Sequence, residues 1–322
     1  MAANNLTGNV FITGGAGFLA RGIYARARRE KWDCRFTAFS RDDHKHAALH
    51  REYPEVHCIR GDICGSPDYL TAAMTGHETV IHAAANKHVD LSEYNVAETI
   101  HNNVYGPEQV AWAAVNANVR RVIGISTDKA CHPVNVYGKT KALMEGLFIE
   151  ANTWGETVFT LTRYGNVLDS TGSMIGDWRK KLKEQGYINA TSPEMTRFWL
   201  SVNQAIDLIL IAISEPAGTI TIPRPSALSM KRMEEYFLPA GTRVTYDGIR
   251  PGEKMHEELL TVEESRYAEY VYKTKTTPDY FRLWSSISKK NFDTGEGPFN
   301  YSSDKPDREM TRAELVAIVG EA

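Results

Sequence analysis

Short apolar runs alternate with helix-period stretches along the first half of the chain. The apolar, β-branched runs lie at residues 10–13, 35–39, 56–60, 79–82, 121–125 and 157–163. Between them, apolar side chains recur at helical spacing, most clearly at 17–29, through 110–115 and at 137–151. Strands alternating with helices in this way predict an α/β fold with a doubly wound parallel sheet.

Beyond about residue 166 the regular alternation stops, and Pro, Gly and aromatic residues become frequent. One stretch again predicts a strand and then a helix, so we expect residues 197–214 to fold back onto the first region. The sequence thus predicts a dinucleotide-binding domain at 1–167 and a smaller, mainly substrate-binding α/β region at 168–322. Near the end, Thr311 and Glu314 have the spacing of a capping box that opens a terminal helix.

Composition and charge exclude several classes of protein. The 322 residues are 42% hydrophobic and 24% charged, as in an ordinary globular chain. A formal net charge of −3 gives no overall field for nucleic acid or an anionic membrane. No apolar stretch approaches the length of a membrane span, and the polar first residues do not predict a basic secretory leader. Four cysteines without CxxC pairing fit a cytoplasmic protein, and the ten histidines match no metal-ligand spacing.

A glycine-rich loop joins the first predicted strand to the first predicted helix. Gly14, Gly17 and Ala20 recur at every third position. A residue without Cβ lets the backbone approach a pyrophosphate, while the helix N-terminus supplies N–H donors. The loop therefore predicts a dinucleotide site that includes Phe18 and Leu19.

The ends of the next two strands bear on which dinucleotide binds. Where an NAD-specific fold offers an acidic residue to the ribose 2′-hydroxyl, the chain has Ser40 and Arg41. A guanidinium beside a hydroxyl complements a 2′-phosphate, which favours NADP. Asp62, followed by Ile63, could accept a hydrogen bond from an adenine amino group. Solvated surface turns would have the same sequence at both places.

Acid–base residues cluster after the fifth predicted strand. Ser126 ends that strand, and Asp128 and Lys129 follow it. Tyr137 and Lys141 lie four residues apart, hence on one helical face, where an ammonium can stabilise a phenolate. Such a phenolate can remove a proton from a substrate hydroxyl. A second pair with this spacing occurs near the C-terminus, but only the first lies at the sheet edge where ligands of such folds bind.

Segments spread along nearly the whole chain match known motifs. Residues 13–20, 82–85, Ser126 and the Tyr137/Lys141 pair resemble the extended short-chain dehydrogenase/reductase superfamily. Within it, the chain resembles the inverting UDP-N-acetylglucosamine 4,6-dehydratases at 40–42, 87–89, 126–130, 135–137, 163–167, 195–199, 249–254 and 301–303. The joint occurrence of these motifs in order is more specific than any one of them.

The resemblance implies a lyase that uses NADP. It implies that Tyr137, supported by Lys141, deprotonates the sugar 4-hydroxyl as C4 is oxidised. Lys129 then removes the C5 proton, and Asp128 helps the 6-hydroxyl to leave as water. Hydride returns to C6, which regenerates the cofactor, and protonation from the opposite face inverts C5.

The resemblance also implies binding residues and partners. The implied cofactor-binding residues are Gly14, Gly17, Phe18, Leu19, Ser40, Arg41, Asp62, Ile63, Ala83, Ala84, Ser126, Tyr137 and Lys141. The implied substrate-binding residues are Lys87, Asn166, Ser173, Thr196, Arg197, Arg250 and Glu253. The partners are a UDP-N-acetylhexosamine and further copies of the chain in a homo-oligomer, without nucleic acid or membrane.

Other interpretations stay open at this point. A UDP-sugar 4-epimerase would use Tyr137 and Lys141 but would give Asp128 and Lys129 no role. A non-catalytic NADP-binding regulator would bind the cofactor without turnover. The Asp-Lys pair could also be a surface ion pair, and the substrate-binding arginines could be ordinary solvated charges.

Overall fold

The computed structural model describes residues 5–170, 172–272, 274, 278–285 and 297–320. The strands are β1 Gly8–Thr13, β2 Cys34–Ser40, β3 His57–Arg60, β4 Thr79–His82, β5 Arg121–Ile125, β6 Val158–Thr162, β7 Asn166–Val167, β8 Tyr187–Ala190, β9 Thr196–Leu200, β10 Thr219–Pro223, β11 Ser226–Ser229, β12 Arg243–Tyr246, β13 Glu258–Leu260, β14 Ala268–Val271, β15 Tyr280–Trp284 and β16 Tyr301–Ser302.

The α-helices are α1 Phe18–Glu30, α2 Asp43–Glu52, α3 Pro67–Met74, α4 Val89–Tyr94, α5 Val96–Ile100, α6 Gly106–Asn116, α7 Val136–Glu150, α8 Met174–Gln185, α9 Val202–Ala212, α10 Met230–Phe237, α11 Val262–Ser265 and α12 Arg312–Val319. A π-helical segment, His101–Tyr105, joins α5 to α6, and short 3₁₀ turns lie at Asp128–Ala130 and Ala151–Thr153. In the described parts of the chain, no helix is both long and apolar enough to cross a membrane.

Nine of the described strands form one sheet, in the order β14-β15-β10-β6-β5-β4-β1-β2-β3. The pairs from β10 to β3 are parallel. The last two strands, β15 and β14, are antiparallel to their neighbours. The strand order reverses between β1 and β4, where sheets of this kind open a crevice for ligands at their carboxyl ends. The predicted doubly wound α/β fold is confirmed.

The sheet is covered by hydrophobic cores on both faces. Along β1, Phe11 belongs to the core with α3, α6 and α7, whereas Val10 and Ile12 belong to the core with α1, α2 and α9. Successive side chains of a strand point to opposite faces, so a strand buried on both sides needs an unbroken apolar run. This requirement explains why the positions of most first-half strands could be predicted from the sequence.

The stretch at 197–214 divides between two parts of the molecule. Its helix, α9, packs on α1 and contributes Ile206 and Ile209 to the core of the main sheet. The strand prediction is wrong in one respect, because β9 does not join that sheet. It pairs instead with β11 and β7 in a separate three-stranded sheet, where Trp199 and Leu228 enter a third core with Trp178 of α8.

The main sheet also continues past the predicted boundary at residue 167. Strand β10 pairs with β6 through Ile220 opposite Leu161, and β15 and β14 extend the same edge. Short two-stranded sheets, β12 with β8 and β13 with β16, complete the second half. The division of the chain into two domains remains a prediction. The capping box at Thr311 and Glu314 is present at the start of α12, as predicted.

Candidate active site

The glycine loop has the backbone that a pyrophosphate site requires. Gly14 has φ +66°, and a Cβ there would lie 3.0 Å from the Ala84 backbone nitrogen. The Gly17 N–H donates to the Gly14 carbonyl at 2.8 Å, and α1 begins at the next residue. The loop therefore brings bare backbone and a helix N-terminus to the carboxyl ends of β1 and β4, which fits a dinucleotide diphosphate.

Neighbouring contacts hold this loop against the end of β4. The Thr13 hydroxyl contacts His82 Nδ1 at 2.9 Å and accepts a hydrogen bond from the Ala84 N–H at 3.3 Å. Burial lowers the pKa of His82 to about 3, so its ring stays neutral. Ala83 and Ala84 thus lie beside the glycine loop, where the resemblance puts them. Phe18 and Leu19, in the first turn of α1, are half-buried.

The residues predicted to select the dinucleotide lie at the ends of β2 and β3. Arg41 Nη1 is 3.3 Å from Asp62 Oδ2, so the predicted phosphate ligand and the predicted adenine partner contact each other. The Ser40 hydroxyl contacts His46 Nε2 at 2.7 Å, and Ile63 is buried. The Arg41 side chain remains 55% exposed, which leaves its guanidinium accessible to a ligand phosphate.

Helix α7 is fixed tightly against the 3₁₀ turn that carries Asp128 and Lys129. The Asn135 side chain caps α7 by accepting from the Gly138 N–H at 2.7 Å, and it donates to the Gly252 carbonyl at the same distance. A Cβ at Gly138 would lie 2.1 Å from the Lys129 carbonyl oxygen. This close approach sets Tyr137, the residue before Gly138, beside the turn.

Lys129 lies between two buried carboxylates. Its Nζ is 3.0 Å from Asp128 Oδ1 and 3.3 Å from Glu257 Oε1. Asp128 is fully buried and Glu257 is 2% exposed, so a surface ion pair is excluded. Burial raises the pKa of Asp128, an effect that the Lys129 ammonium opposes. Burial alone would lower the pKa of Lys129, but the two carboxylates outweigh it and raise that pKa above the ordinary value.

The expected pairing of Tyr137 with Lys141 is corrected by the structure. Lys141 is buried, and its Nζ donates to the Ile125 carbonyl at 2.5 Å and contacts Met144 Sδ at 3.0 Å. Burial raises the pKa of Tyr137, and among charged neighbours it is Lys129 that opposes the rise. Lys129 and a hydrogen bond with Thr127 oppose the effect of burial without outweighing it, so the pKa of Tyr137 stays above its ordinary value. Burial lowers the pKa of Lys141 to about 8.

Ser126 is engaged by a buried ion network. Its hydroxyl donates to Glu145 Oε1 at 2.5 Å, and Glu145 also accepts from Arg163 at 3.0 and 2.6 Å. The Arg163 Nη2 is 2.8 Å from Glu264, which caps α11. The Ser126 hydroxyl is thus already used within the protein, which weakens its predicted cofactor contact and gives it a structural partner instead.

Two of the predicted substrate-binding residues lie on β9 beside the charged cluster. Arg197 is 9% exposed, so it is not a solvated charge, and its Nε is 3.9 Å from Glu257 Oε1. The Thr196 hydroxyl contacts His256 Nδ1 at 2.8 Å and Ser303 Oγ at 2.7 Å.

The other predicted substrate-binding residues differ in exposure and in their local contacts. Arg250 is exposed, and its N–H donates to Glu253 Oε2 at 3.2 Å. Asn166 lies in β7, and Ser173 precedes α8 with a buried hydroxyl that has no hydrogen-bond partner among the described residues. Lys87 is exposed in the segment before α4.

Sequence reasoning missed Glu257 and Glu145. Glu257 lies three residues after the 249–254 motif, close enough that its carboxylate could have been suspected. Glu145 lies four residues after Lys141 on α7, and nothing in its spacing marked it as a partner of Arg163. The contacts of Glu257 with Lys129 and of Glu145 with Arg163 each join separate segments of the chain.

A reversing parallel sheet, a glycine turn before α1 and a Tyr-x-x-x-Lys helix after β5 define a protein of the extended short-chain dehydrogenase/reductase class. A family model described as "Polysaccharide biosynthesis protein" matches residues 10–278. The chain belongs to this family, and within it to the group of the inverting UDP-N-acetylglucosamine 4,6-dehydratases.

Curated relatives carry two different enzyme names. An inverting UDP-N-acetylglucosamine 4,6-dehydratase of Campylobacter jejuni (strain 81-176) is 32% identical over 97% of each chain. A UDP-glucose 4-epimerase of Rickettsia massiliae is 34% identical over 85% of this chain and 82% of its own length.

Solved structures agree on the fold. Pen from Bacillus thuringiensis superposes with a TM-score of 0.84 at 31% identity and covers 95% of this chain and 96% of its own. The dTDP-glucose 4,6-dehydratase DesIV of Streptomyces venezuelae, solved with NAD, gives a TM-score of 0.68 at 19% identity, covering 77% of this chain and 86% of its own.

Proposed function

We propose that this protein is a UDP-N-acetylglucosamine 4,6-dehydratase that uses NADP and inverts C5. The observation that carries the proposal is the contact of 3.0 Å between Lys129 Nζ and Asp128 Oδ1 beside Tyr137. An elimination needs one base and one acid at adjacent carbons, and this pair supplies both. The full-length similarity to a named dehydratase supports the same substrate class.

The Asp128–Lys129 contact suggests how the pair becomes active. Transfer of one proton from Nζ to Oδ1 converts an ammonium and a carboxylate into an amine and a carboxylic acid. Burial lowers the cost of this exchange, because it replaces two buried charges by two neutral groups and raises the pKa of Asp128, whereas the two carboxylates that raise the pKa of Lys129 oppose it. The amine then accepts the C5 proton, and the acid gives its proton to the 6-oxygen, which leaves as water.

Tyr137 begins the sequence by accepting the proton of the 4-hydroxyl. A nicotinamide cofactor, when bound, would supply the redox chemistry needed at C4 and C6. The glycine loop around Gly14 would hold its diphosphate, and Arg41 would hold the 2′-phosphate of NADP. Among the substrate-binding residues, Arg250 presents a fork of donors that suits the UDP diphosphate.

The test is the product formed from UDP-N-acetylglucosamine. Dehydration predicts a product lighter by one water, and proton NMR in D2O then reports inversion at C5. Lys129→Ala should keep cofactor binding and lose solvent exchange at C5. Retained exchange in this variant would assign the base to another residue.

A 4-epimerase is the second candidate, because a relative with that name is similar over 85% of the chain. It predicts an unchanged mass and a new C4 epimer, which would contradict the dehydratase. It also leaves the buried Asp128–Lys129 pair without a task. Binding of NADP with no turnover of any UDP-sugar would instead identify a non-catalytic regulator.

The resemblance also bears on where the protein acts, how it assembles and in which kind of biosynthesis it takes part. We expect a cytoplasmic homo-oligomer, dimer or higher, that takes part in deoxysugar and glycan biosynthesis. The resemblance of the whole chain to the dehydratase group supports each of these.

A further inference from the structure

Glu257 stands immediately before β13 and reaches the centre of the candidate site. Its N–H donates to Ser303 Oγ at 2.9 Å, and its carbonyl accepts from the Ser303 N–H at 2.8 Å. These contacts fix the backbone on both sides of the residue. The Glu257 side chain is therefore held in place from the β16 side, independently of Lys129.

The carboxylate of Glu257 faces two cations. Oε1 is 3.3 Å from Lys129 Nζ and 3.9 Å from Arg197 Nε, whereas Oε2 is buried with no hydrogen-bond partner among the described residues. Asp128 Oδ2 is also buried without one. Each of the two carboxylates that contact the Lys129 ammonium thus keeps one buried oxygen without a hydrogen-bond partner among the described residues, an arrangement that costs stability.

The charged and titratable groups around Lys129 come from several elements. They are Asp128 on the same turn, Tyr137 on α7, Arg197 on β9 and Glu257 before β13, with Lys254 acting on Glu257. Burial opposes ionisation of Glu257, but Lys129 and Arg197 outweigh it and lower its pKa, so Glu257 stays a carboxylate. Asp128 shifts in the opposite direction.

The two carboxylates can therefore divide their tasks. When Asp128 takes a proton from Nζ, it loses its charge and its hold on the amine, but Glu257 still accepts a hydrogen bond from Nζ. The lone pair of the amine is then free for the C5 proton. When that proton arrives, Glu257 stabilises the ammonium that forms, while the proton of Asp128 departs with the 6-oxygen.

We propose that Glu257 is a positioning residue for Lys129: it anchors Nζ through both protonation states and stabilises the ammonium produced by C5 deprotonation. This inference rests on the proposed dehydratase for its kinetic consequence. Its electrostatic consequence can be measured without turnover.

The kinetic test compares Glu257→Gln with Glu263→Gln, an exposed glutamate on α11 with the same change of charge. C5 hydrogen exchange of UDP-N-acetylglucosamine in D2O is followed as a function of pH. Loss of the carboxylate makes the amine easier to deprotonate, so the acidic limb should move to lower pH by about one unit or more. The maximal rate should fall about tenfold, because Nζ loses its anchor. Glu257→Asp keeps the charge, so its acidic limb should return most of the way to the wild-type pH. Glu263→Gln should match the wild type in both the acidic limb and the maximal rate.

A second measurement separates this inference from the proposed function. Reductive ¹³C-methylation lets the amine resonances be titrated, and Lys129→Arg assigns the relevant one. A lower titration midpoint of the Lys129 amine in Glu257→Gln supports the inference even if the wild type forms no dehydrated product. That combination would contradict the proposed dehydratase function and leave the role of Glu257 supported. An unchanged midpoint in folded Glu257→Gln and Glu257→Asp, or an unchanged acidic limb in an active enzyme, overturns it.

Discussion

At the scale of single residues, burial decides more of the chemistry than sequence spacing does. Tyr137 and Lys141 have the spacing of a phenol and its helper, yet Lys141 donates to Ile125 and Met144 while Lys129 lies near the phenol. Side-chain direction depends on tertiary packing, which spacing alone does not encode. Asp128 and Lys129, by contrast, are adjacent in the chain, and their contact could be expected.

The buried side chain of Lys141 should make the free energy of unfolding depend on pH. Its pKa is about 8 in the folded protein and near 10.5 when unfolded, so the unfolded state binds more protons between these values. Stability from this group therefore rises as pH increases from 8 to 10.5, by up to about 3 kcal/mol. Urea unfolding of wild type and Lys141→Met should give a difference that grows over this range. A constant difference would contradict the low pKa.

Arg41 predicts a preference between dinucleotides. Arg41→Ala should weaken the binding of NADP about 10- to 100-fold and leave the affinity for NAD nearly unchanged, because only NADP carries the 2′-phosphate. Binding can be followed by isothermal titration calorimetry. Arg28→Ala, at the far end of α1, serves as the control. Equal losses for both dinucleotides would show that Arg41 does not contact that phosphate.

At the scale of elements, most first-half strands were predictable because they are buried and apolar on both faces, as in β1 and β4. The second half was harder, since its sheets have two or three strands and are built from non-local pairs such as β9 with β11. The candidate catalytic cluster shows the same limit. Asp128, Lys129 and Tyr137 were predicted from one stretch, whereas Glu257 comes from a segment that only the fold brings near.

The junction of α7 with the 128–130 turn predicts a contrast between two glycines of one helix. A Cβ at Gly138 would lie 2.1 Å from the Lys129 carbonyl, so Gly138→Ala must displace the turn or the helix. We expect a loss of about 1–3 kcal/mol and of most activity. Gly146 has open space around it, and Gly146→Ala should stabilise the helix by about 0.5–1 kcal/mol. Thermal unfolding and product assays of both variants check this, and equal effects would contradict the contact.

At the scale of the whole molecule, one region exposes apolar side chains on helices that touch each other. Leu91 and Tyr94 on α4, Ile100 on α5 and Leu143 on α7 are exposed. Exposed apolar side chains on neighbouring helices are typical of association sites. We expect the proposed homo-oligomer to form through these helices.

The oligomer can be tested by a paired substitution on that surface. The variant carrying Tyr94→Asp and Leu143→Asp should sediment with a lower mass than the wild type, because charge at both places opposes burial between copies. Tyr272→Asp, at an exposed tyrosine elsewhere in the chain, is the control. A wild-type protein that sediments as a monomer would refute the expectation directly.

The pairing of β6 with β10 also has a consequence for synthesis of the chain. When the ribosome has released the first six sheet strands, β6 is still an open edge with unpaired N–H and carbonyl groups. That edge stays uncovered until the segment with β7, α8, β8, β9 and α9 has also emerged. During this interval the nascent chain exposes an unpaired strand edge that can pair with other chains. A ribosomal pause before residue 219 would therefore raise its tendency to aggregate.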